Sequence, residues 1–421
     1  MAKTPPPNPY DFVPFEPNPP QRHCPPQTQG TFDPNLYTGE LVCLLETETP
    51  LFIHLKQERG NRIPRRFYQR GGRIVIPATS LKGMVRSVAE VVSNSCLRIA
   101  SLKESDRQPG YEMSNSYKQG HFKTYKRWKI SWPQFEAMHA PIPLVPEEDG
   151  PPYPTGSGVV PKGFWMCQTK NNLCPCCALF GMTERVEDEE AKAAPLAGRV
   201  RFTEARQAGN NKEVKISIPH RIGPPHPYHR PFYFDDNNKL LGRKFYYHHA
   251  DYTNAIKQYE DVKHKDWITV QAQEGKFVFT VRFHNLREEE LAVLVYSLML
   301  EDDLRHHLGY GKPFGLGTVK ISITEMRLMH FDDKKPSRYL DYDDQPSPSI
   351  WDTANATKWQ DKGMRLWTER PGAGAAYNKF KEILKYPQTQ NFRYPTFQWF
   401  RDPTKKNITL AQYQSNPSVR K

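Results

Sequence analysis

The sequence predicts an α+β fold: a ferredoxin-like, RRM-type β-α-β-β-α-β core carrying large insertions and an extension at each end. Three observations lead to it. YTGELVCLLETETPLFIHL (37–55) alternates and is rich in strand-forming residues, with Pro50 marking its end or a bulge. IPATSLKGMVRSVAEVV (76–92) sets Leu81, Met84, Val85, Val88 and Val92 on one helical face, behind Thr79 or Ser80 as N-cap. GKFVFTVRFHNL (275–286) alternates strongly, leads into REEELAVLVYSLMLE (287–301), whose acids sit where a helix dipole favours them, and GTVKISITEMRLM (317–329) closes the set.

The remaining segments follow from their composition. Residues 1–36 hold eleven prolines and form an extended arm whose Tyr10, Phe12 and Phe15 pack onto a surface. The core runs over 37–327. It is interrupted by an insertion at about 97–196, polar and rich in proline and aromatic residues at first, with a cysteine cluster near its end. AGRVRFTEA (197–205) reads as a strand and 215–234 as a hairpin with prolines at its tip. Residues 328–421 form a C-terminal extension whose tryptophans and tyrosines suit either neighbouring subunits or its own core.

The 421 residues carry a net charge of +13, from 59 Lys and Arg against 46 Asp and Glu. A basic balance over a whole chain favours a polyanionic partner. No apolar run reaches membrane-spanning length and the first thirty residues lack a signal-peptide pattern, so the expected location is cytoplasmic, with no membrane partner.

GYGKPFGLG (309–317) raises the question of a nucleotide loop. A dinucleotide or phosphate loop needs glycines that open a helix, whereas these follow one, and Lys312 is succeeded by Pro313 rather than Ser or Thr. The stretch is therefore a helix-to-strand turn, either a plain cap or a surface for an RNA backbone. Between Leu51 and Arg86 lie Lys56, Arg59, Arg62, Arg65, Arg66, Arg70, Arg73, Lys82 and Arg86 against the single acid Glu58, interleaved with Phe67 and Tyr68. Such a run provides a track for phosphates with aromatics available for stacking. Lys82 and Arg86 share one helical face near the exposed N–H groups of the first turn.

Cys167, Cys174 and Cys177 give three thiolates with a CxxC knuckle, which suits a tetrahedral structural zinc completed by a histidine. His139 and His121 are the candidates, and Cys176 is an awkwardly placed substitute.

The chain resembles the RAMP superfamily of CRISPR-associated proteins, in particular the Cas-seven-like backbone subunits of type III (III-D-like) effector complexes. The resemblance rests on PYDFVPF (9–15), TPLFI (49–53), IPATSLKGMVRS (76–87), LCPCCALFG (173–181), GRVRFTEA (198–205), NLREEELAVLVYSL (285–298) and LGYGKPFGLGTVKI (308–321). It implies an antiviral ribonucleoprotein complex in which this subunit binds CRISPR guide RNA (crRNA) and target RNA beside other effector subunits. By that likeness Ser80, Lys82, Arg86, Gly309, Gly311, Lys312, Gly315 and Gly317 hold guide phosphates. A thumb hairpin carrying Ile222, His226, Tyr228, His229 and Arg230 wedges into the guide–target duplex. Catalytic relatives use an aspartate in the loop after the first strand, and here no Asp occurs between Asp33 and Asp106. Glu58 and His54 are the only substitutes, so the expected role is binding without cutting. The alternative is an endoribonuclease that cuts target RNA or processes precursor guide RNA.

Overall fold

The computed structural model describes residues 5–23, 35–54, 65–97, 171–182, 196–219, 230–237, 239–259, 267–330 and 350–420, with a few single residues and pairs between 33 and 167. Its centre is an antiparallel sheet. β1 (Tyr10–Val13) lies apart from it, while β2 (Tyr37–Thr47), β3 (Arg73–Ile76), β4 (Val200–Phe202) and β5 (Ala205–Pro219) join it. After β6 (Arg243–Tyr246), which pairs with β1, the sheet continues with β7 (Trp267–Leu286), β8 (His306–His307), β9 (Thr318–His330) and β10 (Ile350–Thr353). The principal strands lie in the order β9-β2-β7-β5.

Alternation decides which way each strand faces. Leu41, Cys43 and Leu45 of β2 are buried, as are Phe277, Phe279, Val281 and Phe283 of β7, and Phe279 stands opposite Cys43. The intervening positions point the other way: Lys276, Val278 and Arg282 are exposed, and Lys276 and Arg282 pair across the strand with Glu46 and Glu40. A one-residue slip would exchange these two sets, so burial of the first fixes the register.

α1 (Ala78–Val92) and α4 (Glu288–Met299) contribute their apolar faces to the same core, and α2 (Pro175–Phe180) packs against α1. The face expected for α1 is the buried one: Leu81, Val85, Val88 and Val92 are all at most 2% exposed, each stabilising the core by about 1.5–3 kcal/mol. The helix starts two or three residues earlier than anticipated. Pro77 is the N-cap and makes no side-chain cap, so Thr79 and Ser80 fall in the first turn. Within 252–257 a short helix, α3, is capped by Asp251.

The C-terminal extension folds onto its own chain. β9 runs through residue 328 to His330, β10 pairs with it, and α5 (Ala356–Thr368) and α6 (Gly374–Leu384) bury Trp367 and Phe380 in the main core. Gly363 is the point of closest approach between α5 and α4: a Cβ there would lie 2.4 Å from the Ala292 carbonyl oxygen and 2.7 Å from the Tyr296 Cβ. A satellite core gathers Tyr10, Phe12, Phe232, Tyr233, Trp399 and, from α7 (Leu410–Ser415), Leu410 and Tyr413. These contacts correct the expected hairpin over 215–234. Lys215–Pro219 pairs instead with Trp267–Gln271, because Phe232, Tyr233 and Phe234 are drawn into the satellite core.

A side chain at Gly363 must therefore separate α5 from α4. Gly363→Val is expected to lower unfolding stability by about 1–3 kcal/mol, measured by urea denaturation.

Candidate nucleic-acid interface and cysteine centre

The glycine turn is built against the segment Thr49–Ile53. The Thr49 hydroxyl donates to the Gly315 carbonyl (2.7 Å) and accepts from the Thr318 N–H (3.0 Å), while the Gly317 N–H donates to Pro50 O (3.0 Å) and the Tyr310 N–H to Phe52 O (2.8 Å). All four glycines have left-handed φ, from 76° to 85°. A Cβ at Gly309 would meet Phe52 O at 2.4 Å and one at Gly317 would meet Leu308 O at 1.9 Å. At Gly311 and Gly315 it would press on Leu316 and His249 at 2.8 and 3.0 Å. The Cβ direction of each glycine thus points into the protein itself, and Gly311, Gly315 and Gly317 are buried while Gly309 is half-buried. Lys312 is half-buried, and burial lowers its ammonium below the usual lysine range.

The same segment roots the basic loop. His54 and Phe67 bridge where that loop leaves and returns, and the Tyr68 N–H donates to Ile53 O (2.8 Å). Arg65 is fixed through its backbone to Thr269 and Gln271 (2.8 and 2.9 Å). From Tyr68 a further bond reaches Val75, and Ile76 runs on to Pro77 and α1. The glycine turn, the loop's two ends and the start of α1 are thereby joined in one backbone network. Arg66 is exposed and Arg70 is exposed beside Glu204 at 3.2 Å, a surface pair that contributes roughly 0–1 kcal/mol. Glu58, Arg59 and Arg62 lie outside the described residues, as do Ile222, His226, Tyr228, His229 and His139. Arg230 opens a short 3-10 turn, Arg230–Phe232.

At the start of α1 no acidic residue and no side-chain cap occupies the first turn, and Ser80 and Lys82 are half-buried. Gly83 is exposed inside the helix, with nothing within 4 Å of where its Cβ would stand. Arg86 points elsewhere. Its guanidinium donates to Glu90 Oε1 (3.1 Å) and to Gly181 O (3.1 Å) and lies 3.7 Å from Cys177 Sγ, so it ties α1 to the cysteine segment.

The cysteine centre consists of Cys96, Cys167, Cys174 and Cys177, all buried, with their sulfur atoms within 4.8 Å of one another. Cys96 lies 3.5 Å from Cys174 and 3.6 Å from Cys177. Four sulfurs are the number a tetrahedral site needs, and Cys96 joins the cluster in the place anticipated for His139. Sequence inspection missed it because it sits just past α1, 71 residues before Cys167. Burial opposes ionisation of Cys174, but hydrogen bonds from Cys167, Cys177 and Cys96 outweigh it and hold that thiol well below its ordinary range. Cys176 faces away, against the Arg86 carbonyl, and burial pushes its thiol up. The cluster can hold a metal ion, and four protein ligands leave no open position for water.

Two histidine pairs behind the glycine turn were not anticipated. His248 bonds Thr318 Oγ1 (2.9 Å) and Arg305 O (3.0 Å), His306 Nε2 bonds Leu298 O (3.0 Å), and the His248 and His307 rings lie 4.0 Å apart. Among the described residues no helix is long and apolar enough to cross a membrane.

Comparison with known proteins places this geometry in context. A family model described as "RAMPs: RAMP superfamily" matches residues 44–320. No curated protein sequence matches the chain. Among solved structures the chain is similar to Csc2 of Thermofilum pendens, at 15% identity and a TM-score of 0.32, over 86% of this chain and 95% of that one.

Burial lowers His248 and His249 to about 3 and His306 to about 4. They stay neutral in the folded protein, whereas in the unfolded chain they take up protons near about pH 6.5. Stability is therefore lost as pH falls from about 6.5 towards about 3–4, at up to about 1.4 kcal/mol per pH unit for each histidine. Melting curves between pH 7 and 5 should show this decline, with a shallower slope for His306→Gln.

Proposed function

Because the chain belongs to the RAMP superfamily, we propose that it is a guide-RNA-binding backbone subunit of a type III CRISPR effector complex, holding guide and target RNA beside other subunits in antiviral defence. The strand order β9-β2-β7-β5 is closing, first, third, second, the order of a ferredoxin-like core, and supports that assignment. The proposed role is holding rather than cutting, since the loop from His54 to Arg73 contains no aspartate.

Gly83 carries the proposal. Glycine in an exposed helix interior costs about 1 kcal/mol relative to alanine, and among the described residues no packing contact requires it. A bare patch beside Lys82, next to an uncapped helix start, suits a phosphate backbone that must come close to the helix. Gly83→Ala is expected to stabilise the fold by about 1 kcal/mol while weakening RNA binding. Unchanged affinity in a filter-binding assay would place the RNA elsewhere. Co-expression with neighbouring genes should yield repeat-derived RNA of uniform length bound to the purified protein.

For the cysteine centre we propose structural zinc. With Zn–S bonds of about 2.3 Å, tetrahedral sulfurs stand about 3.8 Å apart, near the 3.5 and 3.6 Å separations around Cys96. The metal would hold the end of α1, the cysteine helix and the insertion together. Elemental analysis should find one zinc per chain, and Cys96→Ser should lower that occupancy; a folded wild-type protein free of metal would refute the assignment.

A further inference from the structure

If the glycines of the turn face inward, whatever this loop offers to RNA must come from its side chains. Tyr310 is the one that stands out. Of the described residues only it and Val278 are large apolar side chains that remain exposed, each at 37%. Val278 lies on a sheet face among charged pairs, whereas Tyr310 lies on the turn, flanked by Gly309 and Gly311, which carry no side chains.

The ring is also held in place. Its backbone N–H is bonded to Phe52 O, and the Phe52 ring, 1% exposed, meets it edge-on at 6.4 Å and 88°. The left-handed φ of Gly309 and Gly311 fixes the chain on either side. Both ends of the basic loop meet beside it, because Ile53 and His54 follow directly on Phe52 and pair with Tyr68 and Phe67. Arg65 is close enough for its charge to act on the Tyr310 phenol, opposing the rise that burial causes. An anchored aromatic ring beside guanidinium groups is the arrangement with which single-stranded nucleic acid is held: cations take the phosphates and the ring takes a base.

We propose that Tyr310 is a stacking platform for one unpaired nucleobase of RNA whose backbone passes Arg65. The inference rests on the RNA-binding reading above and adds to it a contact with a base. Stacking is tolerant of sequence because every base has a π-face, so Tyr310 contributes to affinity and register without selecting a particular nucleotide.

The test uses the full chain and two labelled single strands of equal length, a mixed-sequence RNA and an abasic ribose-phosphate strand. Tyr310→Ala should weaken binding of the base-bearing strand about 5- to 100-fold, Tyr310→Phe should bind it nearly as wild type does, and binding of the abasic strand should not respond to either change. Equal affinity of wild type and Tyr310→Ala for the base-bearing strand would overturn the inference, as would an equal loss on both strands, which would mean a general disturbance of the loop. The two levels of the argument separate cleanly. If Lys82→Ala weakens binding and Tyr310→Ala does not, RNA binding stands and stacking falls; if wild type binds neither strand at low salt, both fall.

Discussion

The buried Thr49 hydroxyl is the pivot of the candidate interface. It joins Gly315 O to the Thr318 N–H, and so fixes the glycine turn to the segment from which the basic loop departs. Removing a buried hydroxyl leaves two backbone groups without their partner, at about 1–3 kcal/mol. The larger effect is geometric, because Tyr310, the two ends of the basic loop and the entry to α1 are positioned relative to one another through the same short segment. The histidine pairs support it from behind: His248 bonds the Thr318 hydroxyl, and His249 limits the space at Gly315.

The second organising unit fixes α1 at its other end. Arg86 and Cys96 bring the helix to the cysteine segment, and Arg199 carries the connection onward by bonding Ala178 O (3.1 Å), Asn285 O (2.6 Å) and the carboxylate of Glu290. Glu290 in turn caps α4 by accepting the Arg287 N–H at 2.8 Å. Breaking such a buried pair by removing one partner costs about 3–5 kcal/mol. The cysteine centre is thus structurally continuous with both core helices.

Periodicity in the sequence was enough to place the main strands and the inward face of α1, because burial of Leu81, Val85 and Val88 leaves one face that can turn to the sheet. Three of the four clustered cysteines were recognisable from their spacing. Cys96 was not, since proximity in space after an intervening insertion leaves no pattern along the chain. The glycine turn was located from the sequence, but not the intramolecular neighbours that a Cβ would meet there: composition shows that side chains are absent, not which neighbour requires their absence. The partners of Arg86 were not legible either, as a helical position one turn from Lys82 gives no sign of Glu90 and Gly181 on the inner side.

The arm that carries Tyr10 and Phe12 is held by its distant partner segment: Asn8 and Gln414, 406 positions apart, bond each other through main chain and side chain. Closing a loop of that length from an unfolded chain costs about 5 kcal/mol in entropy alone, which burial of Tyr10 and Phe12, the pairing of β1 with β6 and the Arg370–Glu16 ion pair together offset. Release of the arm would uncover a patch of tyrosine and phenylalanine formed by Tyr233, Phe232 and Phe234, so the two ends of the chain shield between them an apolar surface that neither could cover alone.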